Sequence, residues 1–325
     1  MSAFSRRIDG FSVAILAAVG FAFWAPGPGA HGGPLHVDVL TSVAVTLVFF
    51  LHGAMLPVES LHRGVRNVRL HIVAQVTTYI VFPLLGCALL QLGDAGVPKP
   101  VAMGFFYLST VSSTISSAVA LTALAGGDVA GSLFNATLSG LLGVFLTPIY
   151  ASLLAHSVGM RLSLGAVIES VAFKILLPLV FGQLLRPLLS SILDRHRQAA
   201  QWVDRGSIVL IVYGAFCDSA QAGVWNHDAL FPALISVGLA AVMLTVISGA
   251  VLAAIRVARL DRASAIAAYF CGSQKSLANG LPTAHAVFAG SSSLGLIVMP
   301  LLVYHQIQLA VGAFIARRLA TGGTR

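Results

Sequence analysis

Phe270-Cys271-Gly272-Ser273-Gln274-Lys275-Ser276 is a polar break inside a long apolar stretch, and it sets an ammonium among side chains that otherwise suit hydrocarbon. Ionisable groups inside membrane spans are costly and are retained where they serve a function. The surrounding chain leaves little doubt about the solvent: 57% of the 325 residues are apolar and only 9% are charged. Mean hydropathy is +0.91. Apolar runs of about 20 residues recur throughout, which excludes a soluble globular domain and requires several membrane spans.

Working outward from this break, spans are predicted at 11–26, 37–57, 69–92, 101–126, 128–155, 165–189, 206–222, 229–256, 263–288 and 291–316. With about 20 residues per span and short connections, the length holds ten transmembrane helices and no sizeable soluble domain. A single membrane domain over 1–325 is therefore expected. Arg6 and Arg7 before the first apolar run resemble a secretory signal, but bulky Trp24 is wrong for a cleavage site. Trp24 followed by Pro26 suits the interfacial end of an uncleaved span.

The basic residues test this segmentation. Arg6, Arg7, Arg63, Arg66, Arg69, Arg186, Arg195, Arg197, Arg205, Arg256, Arg259, Arg262, Arg317, Arg318 and Arg325 all fall on one side. Lys99, Arg161 and Lys174 fall on the other. Cytoplasmic connections carry the excess, so a multi-pass plasma (inner) membrane protein with both termini in the cytoplasm is expected. The net charge of +8 then reports topology. The arginines form no stripe interleaved with aromatics, which argues against a nucleic-acid partner.

The two halves rhyme. Leu51-His52-Gly53-Ala54-Met55 in the second span corresponds to Val212-Tyr213-Gly214-Ala215-Phe216 in the seventh. Spans four and nine are both interrupted by small polar residues, Ser112-Ser113-Thr114-Ile115-Ser116-Ser117 in one and Gly272 to Ser276 in the other. Both then run to Ala-Gly, at Ala125-Gly126 and Ala289-Gly290. An odd number of spans per repeat inverts the second copy, so repeats at about 8–156 and 163–318 have the architecture of secondary transporters. Small polar residues also serve close helix packing, but two such breaks at matching positions, one carrying a lysine, point to a binding site near the midplane.

The eleven carboxylates all lie at span ends or in loops, which leaves Lys275 without an obvious acidic partner. A buried ammonium must then lose its proton, borrow carbonyls from the broken helices or be neutralised by a bound anion. The first would allow a coupling proton, the second makes the lysine a plug in place of a metal cation, and the third makes it a substrate countercharge. Ser116, Ser117, Ser132, Asn135 and Gln274 offer neutral oxygens of the kind sodium or a polar headgroup uses. Ser132 and Asn135 share a helix face.

Three unpaired cysteines, Cys87, Cys217 and Cys271, suggest neither disulfides nor a metal site. His52, His285 and His305 lack metal-ligand spacing. Ala125-Gly126-Gly127-Asp128 and Gly290-Ser291-Ser292-Ser293 each miss the pattern of an intramembrane protease, so an enzyme is not expected.

Phe49-Phe50-Leu51-His52-Gly53, Arg69-Leu70-His71, Phe82-Pro83-Leu84-Leu85-Gly86, the 270–276 break and His305-Gln306-Ile307-Gln308 together resemble the bile acid:sodium symporter family. More narrowly, they are similar to the branch containing the seventh member of vertebrate solute carrier family 10 and its bacterial relatives. The resemblance covers nearly the whole chain. It implies an all-α fold with ten helices in two inverted five-helix repeats. Spans one, two, six and seven would form a panel domain, and the others a core in which broken helices four and nine cross.

Ser116, Ser117 and Ser132 match positions that supply sodium ligands in such carriers, and Gln274 matches the glutamine of a Glu-x-Gly-x-Gln-Asn motif. Phe270 stands where that motif has glutamate, Lys275 where it has asparagine, Ala136 in place of a hydroxyl and Thr78 where a glutamine is often found. An anionic ligand is lost and a cation gained, so the site is expected to disfavour sodium.

The reading is a secondary active transporter of a small or amphipathic organic anion. Lys275, Gln274, Ser276, Asn135, Ser112, Ser113 and His305 are its candidate substrate contacts, and Ser116, Ser117, Ser132, Gln274 and Thr78 its candidate ion contacts. No cofactor is expected beyond sodium or a proton as coupling ion, and no partner beyond the bilayer and the anion. The alternatives are a sodium-coupled symporter of the bile acid type and a non-transporting regulator of calcium homeostasis.

Overall fold

The computed structural model describes residues 10–55, 67–157, 169–225, 230–288 and 290–321, without the side chains of 152 and 154–157. Arg6, Arg7, Arg63, Arg66, Arg161, Ala289 and Arg325, used above for topology and repeat matching, lie outside the described residues. Within them the chain is helical, with no strand. In order the helices are α1 (Gly10–Trp24), α2 (Val37–Met55), α3 (Val68–Asp94), α4 (Lys99–Thr110), α5 (Ser116–Leu124) and α6 (Val129–Ser157). They continue as α7 (Glu169–Arg195), α8 (Arg197–Gln221), α9 (Leu230–Ala258), α10 (Arg262–Ser273), α11 (Leu277–Val287) and α12 (Leu294–Thr321).

Six of these, α2, α3, α6, α7, α9 and α12, are long and apolar enough to cross a membrane. The 15-residue α1 is apolar but shorter. The predicted fourth and ninth spans are each two short helices. α4 stops at Thr110 and α5 begins at Ser116, while α10 stops at Ser273 and α11 begins at Leu277. Ser112, Ser113 and Thr114 lie in the first gap and Gln274, Lys275 and Ser276 in the second, at the two polar breaks read from the sequence. The chain is a multi-pass membrane protein, and the apolar side chains exposed along its helices, such as Leu84, Phe181, Leu184 and Leu234, suit lipid contact.

Two compact units divide the chain: Met1–Met55 with Gly165–Ala229 and Leu281–Leu296, and Leu56–Leu164 with Leu230–Gly280 and Ile297–Arg325. In the first, α2 packs along α7 and α8, and α1 packs along α8. Backbone proximity makes the α2–α7 contact. A Cβ on Gly53 would overlap the carbonyl of Leu179, and one on Gly182 would overlap the carbonyl of Phe50. Lipid provides no hydrophobic drive for helices to associate, so glycines that let backbones touch supply the dispersion energy instead. His52 of α2 pairs with Asp204 of α8 at 3.2 Å.

In the second unit, a relay of caps joins the starts of α3 and α10. Asn67 accepts from the N–H of Leu70 and donates to Ser264 Oγ at 2.6 Å. Ser264 Oγ donates at 2.6 Å to Asp261, which also accepts from the N–H of Ser264. Behind these caps Leu70, Val73, Ala267 and Ala268 form a buried apolar cluster. Hydrogen bonds from Ser264 hold the Asp261 carboxyl below its ordinary value.

Gly182→Ala should lower thermal stability by roughly 1–3 kcal/mol through overpacking. Gly238→Ala, on α9 where an added Cβ meets nothing within 4 Å, should leave it unchanged or raised; denaturation of both variants in matched detergent checks the pair. A carboxyl depressed in the folded state contributes stability above its unfolded value and loses it as pH falls through the folded one. The deficit of Asp261→Ala, about 1 kcal/mol or less at neutral pH for an exposed cap, should therefore shrink as pH drops below about 4. Melting curves against pH measure it.

Candidate functional site

Backbone chemistry prepares the place that Lys275 occupies. α3 contains a π-helical turn at Thr77–Val81, within which the N–H of Phe82 returns to the carbonyl of Thr77. Pro83 follows and has no N–H to give back. Two carbonyls are released. Tyr79 O accepts from Tyr150 Oη at 3.0 Å, and Thr78 O accepts from Lys275 Nζ at 3.0 Å.

The C-terminus of α4 supplies the rest. Helix ends leave carbonyls without intrahelical donors, and here each finds one from elsewhere in the second unit. Lys275 Nζ donates to Ser109 O and Val111 O, both at 2.7 Å. Thr147 Oγ1 donates to Thr110 O at 2.8 Å, and the N–H of Ser276 donates to Ser112 O at 2.8 Å. The Phe82 ring lies 4.0 Å from Nζ, a cation–π contact on the ammonium. Lys275 is fully buried, and no acid lies within ion-pairing distance of it among the described residues.

Three carbonyls around one nitrogen match the three hydrogens of an ammonium; a neutral amine has only two to give. The negative end of the α4 dipole adds a favourable field. Of the three fates available to an unpaired buried lysine, this geometry is the one in which it borrows carbonyls.

The backbone of Lys275 is held as firmly as its side chain. Its N–H donates to Gln308 Oε1 and its carbonyl accepts from Gln308 Nε2, each at 2.8 Å, so one side-chain amide of α12 pins both backbone groups of the residue. His305 Nδ1 lies 3.4 Å from the same carbonyl and 3.0 Å from Gln308 Nε2. Tyr304 Oη donates to Ser273 O at 2.8 Å, which completes the end of α10.

The other candidate residues distribute around this centre. Ser112 Oγ accepts from Asn279, and Ser113 Oγ donates to Cys271 O at 2.7 Å, so the two helix breaks touch directly. Ser117 Oγ donates to Gln274 Oε1 at 2.6 Å, whereas Gln274 Nε2 is buried without a partner. Ser116 is exposed. Ser132 lies beside Cys271 and Thr122, and Asn135 turns back to Gly131 and accepts from Gln75, so they join different contacts. Among the described residues no group of three His, Cys, Asp or Glu side chains could hold a metal ion.

Borrowed carbonyls were among the expected fates of Lys275, but which ones it meets escaped sequence reasoning because they are backbone oxygens. Pro83 was the available signal for Thr78, and the abrupt end of α4 for Ser109 and Val111. Gln308 stood in a motif without a role assigned to it.

The geometry can be set beside known proteins. Residues 9–321 match the model of the SBF-like CPA transporter family. The chain is 35% identical over 313 residues to "Putative symporter YfeH" of Escherichia coli (strain K12), covering 96% of this chain and 93% of that one. It is 30% identical over 316 residues to the mouse protein named sodium/bile acid cotransporter 7, covering 95% and 92%. The zebrafish protein of that name is 29% identical over 318 residues, covering 97% and 94%. With two interrupted helices meeting around a buried charge and a match that spans almost all of it, this chain belongs to the SBF-like CPA transporter family, of the bile acid:sodium symporter type, and is a membrane transporter rather than an enzyme.

Proposed function

We propose that the protein is a secondary active transporter of a small or amphipathic organic anion, in which the Lys275 ammonium stands permanently where a sodium ion would otherwise sit. The observation that carries this reading is the set of three carbonyls, from Thr78, Ser109 and Val111, converging on Nζ. Oxygen cages of this kind at broken helices are how transporters hold coupling cations. A covalently attached cation does the same electrostatic work without leaving. Because all three hydrogens are engaged, the geometry favours a fixed charge over a titrating one.

Ten spans in two inverted repeats fit the helices. The six long ones, α1, α8 and the broken pairs α4–α5 and α10–α11 make ten, and a break falls in the fourth and in the ninth. The division of the chain supports a panel built from α1, α2, α7 and α8 and a core holding the Lys275 centre, working by alternating access in the inner membrane with both termini cytoplasmic. Sodium and bile acids enter through the names of the mouse and zebrafish relatives. For this chain we expect an organic anion without obligatory sodium.

Lys275→Ala leaves three buried carbonyls unsatisfied and should cost about 3 kcal/mol or more. Sodium chloride should recover part of that stability where choline chloride does not, because a small cation can enter the vacated cage. The unmodified protein should ignore the exchange of salts. Sodium-dependent stabilisation of the unmodified protein would contradict the assignment.

In proteoliposomes, uptake of radiolabelled cholate should proceed at the same rate with or without an inward sodium gradient. Sodium-stimulated uptake would favour the symporter reading, and absence of uptake together with a co-purifying protein would favour a regulator.

A further inference from the structure

The first unit contains a cavity of about 680 Å³ that plays no part in the Lys275 centre. Its lining includes His31, Asp38, Lys174, Asp218, His285 and Ser292. Gly29, Ala222 and Gly290 also line it and belong to the connections α1–α2, α8–α9 and α11–α12. These lie on the side of the molecule poor in arginine, the side expected to face away from the cytoplasm.

The charges in this cavity are unequally satisfied. Asp218 accepts from the N–H of His31 at 2.6 Å, and Asp38 Oδ2 pairs with the His31 ring at 3.3 Å. Lys174, half-buried in a π-helical turn of α7 at Ala172–Leu176, has no carboxylate within ion-pairing distance among the described residues. His285 lines the same cavity, and its Nδ1 is buried without a hydrogen-bond partner. An anion in this cavity gains the charge of the Lys174 ammonium, and the unpartnered imidazole of His285 can add a hydrogen bond from its Nδ1–H tautomer. Asp38 and Asp218 oppose a second negative charge on the ligand, and the buried, unpartnered Asp38 Oδ1 calls for a hydrogen-bond donor on it.

We propose that this cavity is a binding site for bulky monovalent organic anions on the non-cytoplasmic face, with Lys174 and His285 as the anion contacts. It deepens the transporter reading and rests on it only for the supposition that the bound anion is cargo. The six residues belong to one unit, so the site is complete without the Lys275 centre. The acids give it selectivity: one negative charge is matched by the Lys174 ammonium, and a second would face the carboxylates of Asp38 and Asp218.

The full chain in lipid nanodiscs tests this with naphthalene-2-sulfonate and its uncharged mimic naphthalene-2-sulfonamide, titrated by equilibrium dialysis at pH 7. The sulfonate should bind at least tenfold more tightly than the sulfonamide. Lys174→Gln should remove most of that preference, His285→Phe should weaken sulfonate binding severalfold, and Lys174→Arg should restore it in a protein of unchanged melting temperature. Equal binding of the two probes, no binding of the sulfonate, or binding untouched by Lys174→Gln would overturn the proposal. Cholate uptake of the Lys174→Gln protein separates the two readings. Uptake intact with sulfonate binding lost assigns the cavity to an anion that is not cargo, whereas sulfonate binding in a protein that takes up nothing leaves the site standing and removes the transporter reading.

Discussion

One contact organises the second unit: the ammonium of Lys275 against the carbonyls of Thr78, Ser109 and Val111. Hydrocarbon cannot hydrogen-bond a backbone, so a helix broken inside the membrane must have its open end answered by protein. The end of α4 presents four consecutive carbonyls, and Lys275, Thr147 and Ser276 answer all of them. Removing the cation would leave the negative end of a helix dipole facing two bare oxygens. The lysine and the broken helices therefore stabilise each other, since a charge at that depth needs the carbonyls as much as they need it.

The two units solve the packing problem differently. In the first, Gly53 and Gly182 bring α2 and α7 to backbone contact, and aromatic side chains such as Phe21, Tyr213, Phe23 and Phe216 join α1 to α8. In the second, polar satisfaction dominates, from the Asn67–Ser264–Asp261 relay to Tyr304, Gln308 and Ser113 at the helix breaks.

Much of the site was legible in the chain. An isolated lysine in an apolar span can be read without a structure, and so can a pair of polar breaks in two apolar spans. Ser132 and Asn135 share a helix face by spacing, yet one meets Cys271 and the other Gln75. Helical periodicity orders side chains around one axis and carries no information about which helix lies opposite. Lys174 was counted as a loop charge reporting topology, but its place in the π-turn brings it into the cavity beside His285. Its sequence neighbours Phe173 and Ile175 give no hint of this.

Composition and patterning by themselves determined that the chain lives in a bilayer, that its helices are broken at two places, and that a lysine would need an answer there. Those properties follow from the cost of polar groups in hydrocarbon, which depends on residue type and is therefore written in the sequence. What answers the lysine was decided only by tertiary structure. Its ligands are main-chain oxygens of residues more than a hundred and sixty positions away, and every residue carries the same carbonyl, so only the path of the backbone selects which three converge.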